Sequence, residues 1–274
     1  MTSRNNKKIL LNLLLILIAV ITLAPFLWMV SASFMFDGHA STYPPRFLPD
    51  EFTLTQYIKL FTKLNITTNM LNSFILSISV TGISLFFNSM AAYAFSKFRF
   101  KGKEKLFTIL LASMIIPSQV TMLPLFLMLK EMGVINTYFA IIIPGLANIF
   151  GIFLIRQYAQ AIPDSLFEAA RIDGATDFQI FSKIFIPVIK PILVTLALFT
   201  FMGTWNDFLW PLITLTDESM YTLPVAMSNL MSEHSKDPEL MMAGSVLTIL
   251  PIIIVFLAMQ KQYIKGLMMG SVKE

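Results

Sequence analysis

IPDSLFEAARIDGATDFQIFSKIFIP, residues 162–187, is a polar block set between two long apolar runs. Ser165 stands three residues before Glu168, and Thr176 three before Gln179. Each pair has the spacing of a capping box, in which two side chains satisfy backbone N–H groups at a helix start. Gly174 falls between the pairs, where a helix closes in the left-handed conformation that glycine tolerates. Pro187 marks the end of the block. The expectation is two short helices joined at a bend and held at a membrane surface.

The rest of the chain supplies the membrane. Of 274 residues 56% are hydrophobic and 13% charged, and the mean hydropathy is +0.72. A soluble domain carries about 25% charged residues, so a large soluble core is excluded and an all-α integral membrane protein is expected. Cysteine is absent, which removes disulfides, thiolate catalysis and cysteine metal sites. His39 and His234 have no ligand-spaced histidine partner, so both read as exposed loop residues.

Apolar runs near the roughly 20 residues needed to cross a bilayer fall at about 9–30, 69–95, 106–129, 138–158, 188–213 and 241–259. The first follows a short basic start (Arg4, Lys7, Lys8) and is too long for a signal-peptide apolar region. It ends near Trp28, an expected interfacial residue. Polar loops follow at Asp37–Thr68 and Thr214–Leu240. Pro117, Pro124, Pro144 and Pro251 fall within runs, where each removes a backbone donor and tends to kink its helix.

Basic residues orient the spans. With both termini cytoplasmic, fifteen of the twenty Lys and Arg lie inside, including Lys97, Arg99, Lys101, Lys103 and Lys105. By the positive-inside rule this makes block 163–187 cytoplasmic. The net charge of +4 is set by that topology and implies no nucleic acid. No phosphate-binding G-x-x-x-x-G-K-[ST] loop occurs, so any ATP is bound elsewhere.

Catalytic constellations are missing: the acidic residues lie almost wholly in loops, and no Ser-His pair or zinc motif stands at membrane depth. Asp207, between Trp205 and Trp210 at a span end, is either a functional intramembrane group or part of an outer aromatic belt. Ser73, Ser77, Thr81, Ser84 and Asn88 recur at helical spacing on one face. That face is a packing seam or a polar wall for a solute, with packing the favoured reading. Asn148 joins these as a pathway candidate. In the block, Leu166, Phe167, Ala170, Phe178, Phe181 and Ile184 suit a surface helix. Glu168, Asp173 and Asp177 oppose anionic lipid, so docking into a partner's groove fits better.

Glu168-Ala169-Ala170, Asp173-Gly174-Ala175, Ile184 and Ile186-Pro187 resemble the EAA loop of permease subunits of binding-protein-dependent ABC importers. Residue 186 is isoleucine where leucine is commoner in the family. Thr204-Trp205-Asn206-Asp207-Phe208-Leu209-Trp210-Pro211-Leu212 and the tail Gln262–Leu267 with Gly270–Lys273 resemble sugar-importer permeases, of the type paired with a second, different permease in the maltose system. The resemblance runs from about Ile9 to the end, with Glu274 where the family has glycine. It implies six transmembrane helices in the type I importer permease fold (MetI-like), in a prokaryotic cell membrane. It also implies no catalysis and no cofactor on this chain, ATP and Mg being held by two copies of a separate ATPase. The further partners implied are a homologous second permease, an extracytoplasmic sugar-binding protein and a sugar. Carried over, Glu168, Ala169, Ala170, Asp173, Gly174, Ala175, Ile184 and Pro187 couple the spans to the ATPase. Glu168 is expected to cap the first helix and Gly174 to permit the bend. The alternatives are an ABC permease for a non-sugar solute and an ion-coupled secondary carrier, for which midplane charges or inverted repeats are not evident.

Overall fold

The computed structural model describes residues 2–44, 46–233 and 237–269. Expectations on His234, Gly270–Lys273 and Glu274 lie outside these, as do the side chains of Gln262–Leu267. Every regular element among the described residues is helical. Four helices are long and apolar enough to cross a membrane, and up to six if each of two bent pairs counts as one span. The chain divides into two compact units, Met1–Thr67 with Ala226–Pro251, and Thr68–Val225 with Ile252–Glu274.

In the first unit α1 (Thr2–Ala32) runs unbroken through Pro25. The polar loop after it is tied down rather than free. Trp28 Nε1 donates to the Arg46 carbonyl at 3.1 Å, and Ser31 Oγ to the Phe47 carbonyl at 2.6 Å. The loop also contains α2 (Thr55–Lys63), which hydropathy alone hides because the helix is short and mixed. From α2, Lys59 Nζ reaches both oxygens of Asp37 (2.8 and 2.7 Å) and Gln56 Nε2 reaches one of them (2.6 Å). These hydrogen bonds, Lys59's foremost, hold the Asp37 carboxyl below its ordinary range. His39, expected to be exposed, is half-buried with its ring 5.9 Å from that of Phe36.

The second unit carries most of the runs. α3 (Ile66–Lys97) is continuous. The third run is not one helix: α4 (Lys103–Ser113) and α5 (Ser118–Glu131) meet at 101°. Pro117 precedes α5 in extended conformation (ψ 134°), because its ring and missing N–H cannot continue α4. Pro124 sits inside α5, so only one of the two prolines breaks the run. The fourth run is α6 (Phe139–Gly145) and α7 (Ile149–Gln160), interrupted just after Pro144.

Block 162–187 forms α8 (Asp164–Ile172) and α9 (Asp177–Ile180). Instead of ending at Pro187, the second helix continues through a π-helical turn (Phe181–Phe185) into α10 (Ile186–Val188). In that turn the Ile186 N–H reaches the Phe181 carbonyl, a wider ring that leaves room where Pro187 has no donor to offer. The chain breaks at Ile189, and α11 (Lys190–Trp205) departs at 78°. α12 (Leu209–Thr214) follows a second break, so the fifth run is also divided. The next polar loop holds a 3₁₀ turn (Glu218–Met220) and α13 (Leu223–Glu233), before α14 (Pro238–Met269), which passes through Pro251 unbroken.

Aromatic packing ties the second unit together at the end of α3. The Tyr93 ring lies 4.8 Å from Phe185, 5.2 Å from Phe98, 5.6 Å from Phe181 and 6.4 Å from Phe167. Such pairs contribute about 0.5–1.5 kcal/mol each beyond area burial. Beside them Arg156 of α7 is buried. Its Nε donates to the Phe95 carbonyl (3.2 Å), its Nη2 to both Glu104 oxygens (2.8 and 2.9 Å), and its guanidinium lies 4.0 Å from the Phe107 ring. One side chain thus pins α3, α4 and α7. Arg156→Met is expected to lower stability by about 2 kcal/mol, because it deletes charge-assisted hydrogen bonds at a buried site. Glu104→Gln is expected to cost under about 1 kcal/mol, since that carboxylate is 69% exposed. Denaturant titration of the purified protein in detergent compares the two.

Candidate functional site

Block 164–188 is built to project an outer surface from a buried inner one. Phe167 and Ala170 recur at helical spacing and are buried, with Ile180, Phe181 and Phe185 completing the inner face. Glu168, Ala169, Ile172 and Asp173 occupy the opposite face of α8 and are exposed. Ile172 is 87% exposed and Phe178 70%, with Leu166 less so. The six apolar residues read from sequence therefore divide: Phe167, Ala170 and Phe181 pack inward, Ile184 is half-buried, and Leu166 and Phe178 point out. Ile172, the most exposed apolar side chain of the loop, was not among them.

The bend follows from hydrogen bonding. The Ala175 N–H reaches back to the Ala170 carbonyl (3.0 Å) and the Gly174 N–H to that of Arg171 (3.1 Å), with Gly174 at φ +81°. This is a Schellman closure, which satisfies two orphan carbonyls and needs a left-handed residue between them. Thr176 and Gln179 then form the second capping box, at 2.9 and 3.3 Å. The first box, Ser165 with Glu168, does not form. α8 starts at Asp164 behind an extended Pro163, so Ser165 already lies inside the first turn and Glu168 is mid-helix without a capping role.

Lys97 instead holds the start of α8 from outside, by donating rather than by capping. Its side chain is 4% exposed, and its Nζ donates to the Ile162 carbonyl and to Asp164 Oδ1, each at 2.7 Å. It also lies 4.7 Å from the Phe167 ring centroid. The last residue of α3 thereby ties the first turn of α8. In sequence Lys97 was one of five clustered basic residues, and nothing local marks it, because its partners lie 65 and 67 positions away.

The polar face of α3 is real. Ser73, Ser77, Ser84 and Asn88 are buried, and Thr81 is half-buried. Three of them bond within the protein. Ser73 Oγ accepts from the Leu223 N–H (2.7 Å), Asn88 Nδ2 donates to Ser84 Oγ (3.0 Å), and Asn88 Oδ1 accepts from the Asn148 N–H (2.9 Å). Asn148 in turn caps α7, its Oδ1 accepting from the Phe150 N–H at 2.9 Å. Gly151 lies so close to the Asn88 amide and Leu196 that a Cβ would collide with them. Asp207 is half-buried and accepts from the Trp210 N–H at 3.4 Å. Trp205 is buried and stacked on Phe201 rather than set in an outer belt, while Trp210 Nε1 donates to the Ala140 carbonyl at 2.9 Å. Only the Ser77 and Thr81 hydroxyls are buried without a hydrogen bond along this face.

Gly151→Ala is expected to destabilise by about 1–3 kcal/mol through overpacking. Adding Asn88→Ala relieves the collision, so the double mutant should lose less than the sum of the single effects. Chemical unfolding of the four proteins of the cycle reads that coupling. A second test concerns Asp164, whose carboxyl the Lys97 hydrogen bond holds below its ordinary 3.8. With the folded value lowered, its contribution is whole above the ordinary value and lost as pH falls through the folded one. Acid sensitivity of thermal unfolding below about pH 4 should therefore weaken in Lys97→Met.

Comparison with known proteins places these features. Residues 84–268 match the family of binding-protein-dependent transport system inner membrane components. The chain is 37% identical to the arabinooligosaccharides transport system permease protein AraQ of Halalkalibacterium halodurans, over 93% of each chain. It is 34% identical to the lactose transport system permease protein LacG of Rhizobium radiobacter, over 94% of this chain and 93% of that one. A solved structure of a bacterial ABC transporter that imports the acidic polysaccharide alginate aligns at TM-score 0.84 and 29% identity, covering 95% of this chain and 98% of that one. The capped and bent loop, the buried cations behind it and the apolar helices around it thus occur in a chain that belongs to the inner membrane component family of binding-protein-dependent transport systems.

Proposed function

We propose that this chain is one permease subunit of an ATP-driven importer for a sugar or oligosaccharide, with block 163–187 as its ATPase-docking loop. The single observation that carries the reading is the outward face of that loop. Ile172 and Phe178 are exposed, flanked by Glu168, Asp173 and Asp177, on a bend clamped from within by Lys97 and an aromatic core. Apolar anchors ringed by charge are what helix-in-groove docking uses, and the sequence holds no phosphate loop of its own. Relatives named for arabinooligosaccharide, lactose and diacetylchitobiose transport support a carbohydrate substrate.

In this reading the chain crosses a prokaryotic cell membrane six times as a single transmembrane domain, with both termini cytoplasmic. It pairs with a homologous second permease and docks on one of two ATPase subunits, while an extracytoplasmic binding protein delivers the sugar. Closure of the ATPases draws the loop inward. The pull passes through Lys97 to α3 and through the aromatic cluster around Tyr93, and α11 swings about the break at Ile189. Glu168, Ala169, Asp173 and Gly174 face the ATPase or shape the bend, Ala170, Ala175 and Ile184 seat the loop on its own spans, and Pro187, exposed, follows the π-helical turn. Of the pathway candidates, Ser73, Ser84, Asn88, Asn148 and Asp207 are committed to internal bonds. Ser77 and Thr81 have unbonded hydroxyls, but both are buried within the chain, so they meet a solute only if the helices around α3 move apart.

The test uses the complete importer in proteoliposomes. Gly174→Val forces a β-branched residue into a left-handed conformation, at a cost of about 1–2 kcal/mol. It should abolish binding-protein-stimulated ATPase activity and uptake while the spans stay inserted. Gly174→Asn should retain most of both, because asparagine tolerates that conformation. Ile172→Asp should release the ATPase during affinity purification. Normal uptake in Gly174→Val together with normal assembly in Ile172→Asp would remove the coupling role.

A further inference from the structure

The turn between α3 and α4 carries positive charge that the fold and the docking loop use only in part, Arg99 and Lys103 lying near enough to help hold the Asp164 carboxyl down. Arg99, Phe100, Gly102, Lys103, Glu104 and Lys105 line an open depression of about 360 Å³. Its one carboxylate is already taken, since both Glu104 oxygens accept from buried Arg156. Lys103 Nζ gives one hydrogen bond, to the Phe98 carbonyl at 3.1 Å, and an ammonium keeps two more donors. Arg99 and Lys105 are exposed, and neither enters an ion pair among the described residues. Three cations therefore face a space whose only anion is neutralised from behind.

Apolar side chains adjoin the depression: Phe100 lines it, and Leu106 and Ile109 lie one turn on from Lys103 and Lys105. Phe100, Leu106 and Ile109 are 43%, 48% and 57% exposed, and the latter two begin the apolar run of α4. A free inorganic anion would need no such neighbour. A molecule with a phosphate at one end and a hydrocarbon chain at the other matches both halves. We propose that this depression seats the phosphate of an anionic phospholipid headgroup, with the acyl chains laid along Leu106 and Ile109. The proposal rests on the reading that this turn faces the cytoplasmic leaflet. Arg99 also lines the adjoining depression formed by Lys97, Asp164, Phe167, Glu168 and Arg171. Headgroup occupancy and the seating of the docking loop thus share one residue.

The test is lipid retention by the purified importer complex, counted by native mass spectrometry after detergent washing with equal phosphatidylglycerol and phosphatidylcholine. The wild type should retain phosphatidylglycerol preferentially. Each cation near an anionic surface contributes about fivefold in affinity, so Arg99→Gln with Lys105→Gln should lower retention by tenfold or more. Lys183→Gln with Lys190→Gln removes the same charge outside the depression and should leave retention unchanged. Equal loss in both double variants, or loss in neither, overturns the proposal. So does displacement of the lipid by soluble glycerol 3-phosphate, which would make the ligand a free phosphate. A photoreactive residue at position 100 should crosslink to lipid, and a protein adduct there means that another subunit covers the depression. Because retention is scored without transport, a failed importer reading leaves it intact. Labelling of Lys101→Cys from one side, in a chain without native cysteine, checks the topology separately.

Discussion

A backbone N–H without a partner in hydrocarbon costs several kcal/mol, and this chain interrupts its apolar helices repeatedly. Each interruption needs polar groups to receive the freed backbone. At the gap between α6 and α7, Asn148 caps the new helix and Asn88 accepts the N–H of Asn148 itself. Near α12 the Asp207 carboxylate accepts from the Trp210 N–H. In block 162–187, outside the apolar runs, the Schellman closure at Gly174 and the Thr176–Gln179 box satisfy the backbone groups of the bend in the same way. Most polar side chains that look like a solute pathway are therefore occupied in making broken helices tolerable.

The second organising element is a pair of buried cations. Lys97 and Arg156 each leave α3 or α7 to hold backbone carbonyls and a distant carboxylate, and each lies against an aromatic ring. A buried charge is stable only when its hydrogen-bonding capacity is met, so these contacts define one geometry for the loop relative to its own spans. A rigid loop with exposed Ile172 and Phe178 can transmit force to the helices behind it, which is what the proposed coupling role requires.

Much of the architecture was legible in advance. Hydropathy marked the apolar runs, the Thr176 box and Gly174 marked the bend, and period-four spacing placed Ser73 through Asn88 on one face. The failures have physical causes. Ser165 with Glu168 has capping spacing, yet Pro163 and the Lys97–Asp164 contact start the helix earlier. Pro117 breaks its run while Pro124 and Pro251 do not, because a helix interior accommodates a proline wherever neighbouring groups satisfy the freed carbonyl. The helices α2 and α13 carry too little apolar length to register as anything but loop.

Composition and local spacing by themselves determined that the chain is helical, lives in a membrane and presents a capped polar bend between apolar runs. Those properties depend on residues within a few positions of each other, where hydropathy and backbone preference act directly. Tertiary structure alone decided which side of α8 faces outward, that Lys97 and Arg156 are buried ties rather than surface charge, and that Glu104 is neutralised while Arg99 and Lys105 enter no ion pair among the described residues. Each of these turns on contacts between residues some fifty or more positions apart, and no local pattern encodes which distant carboxylate a given cation will meet.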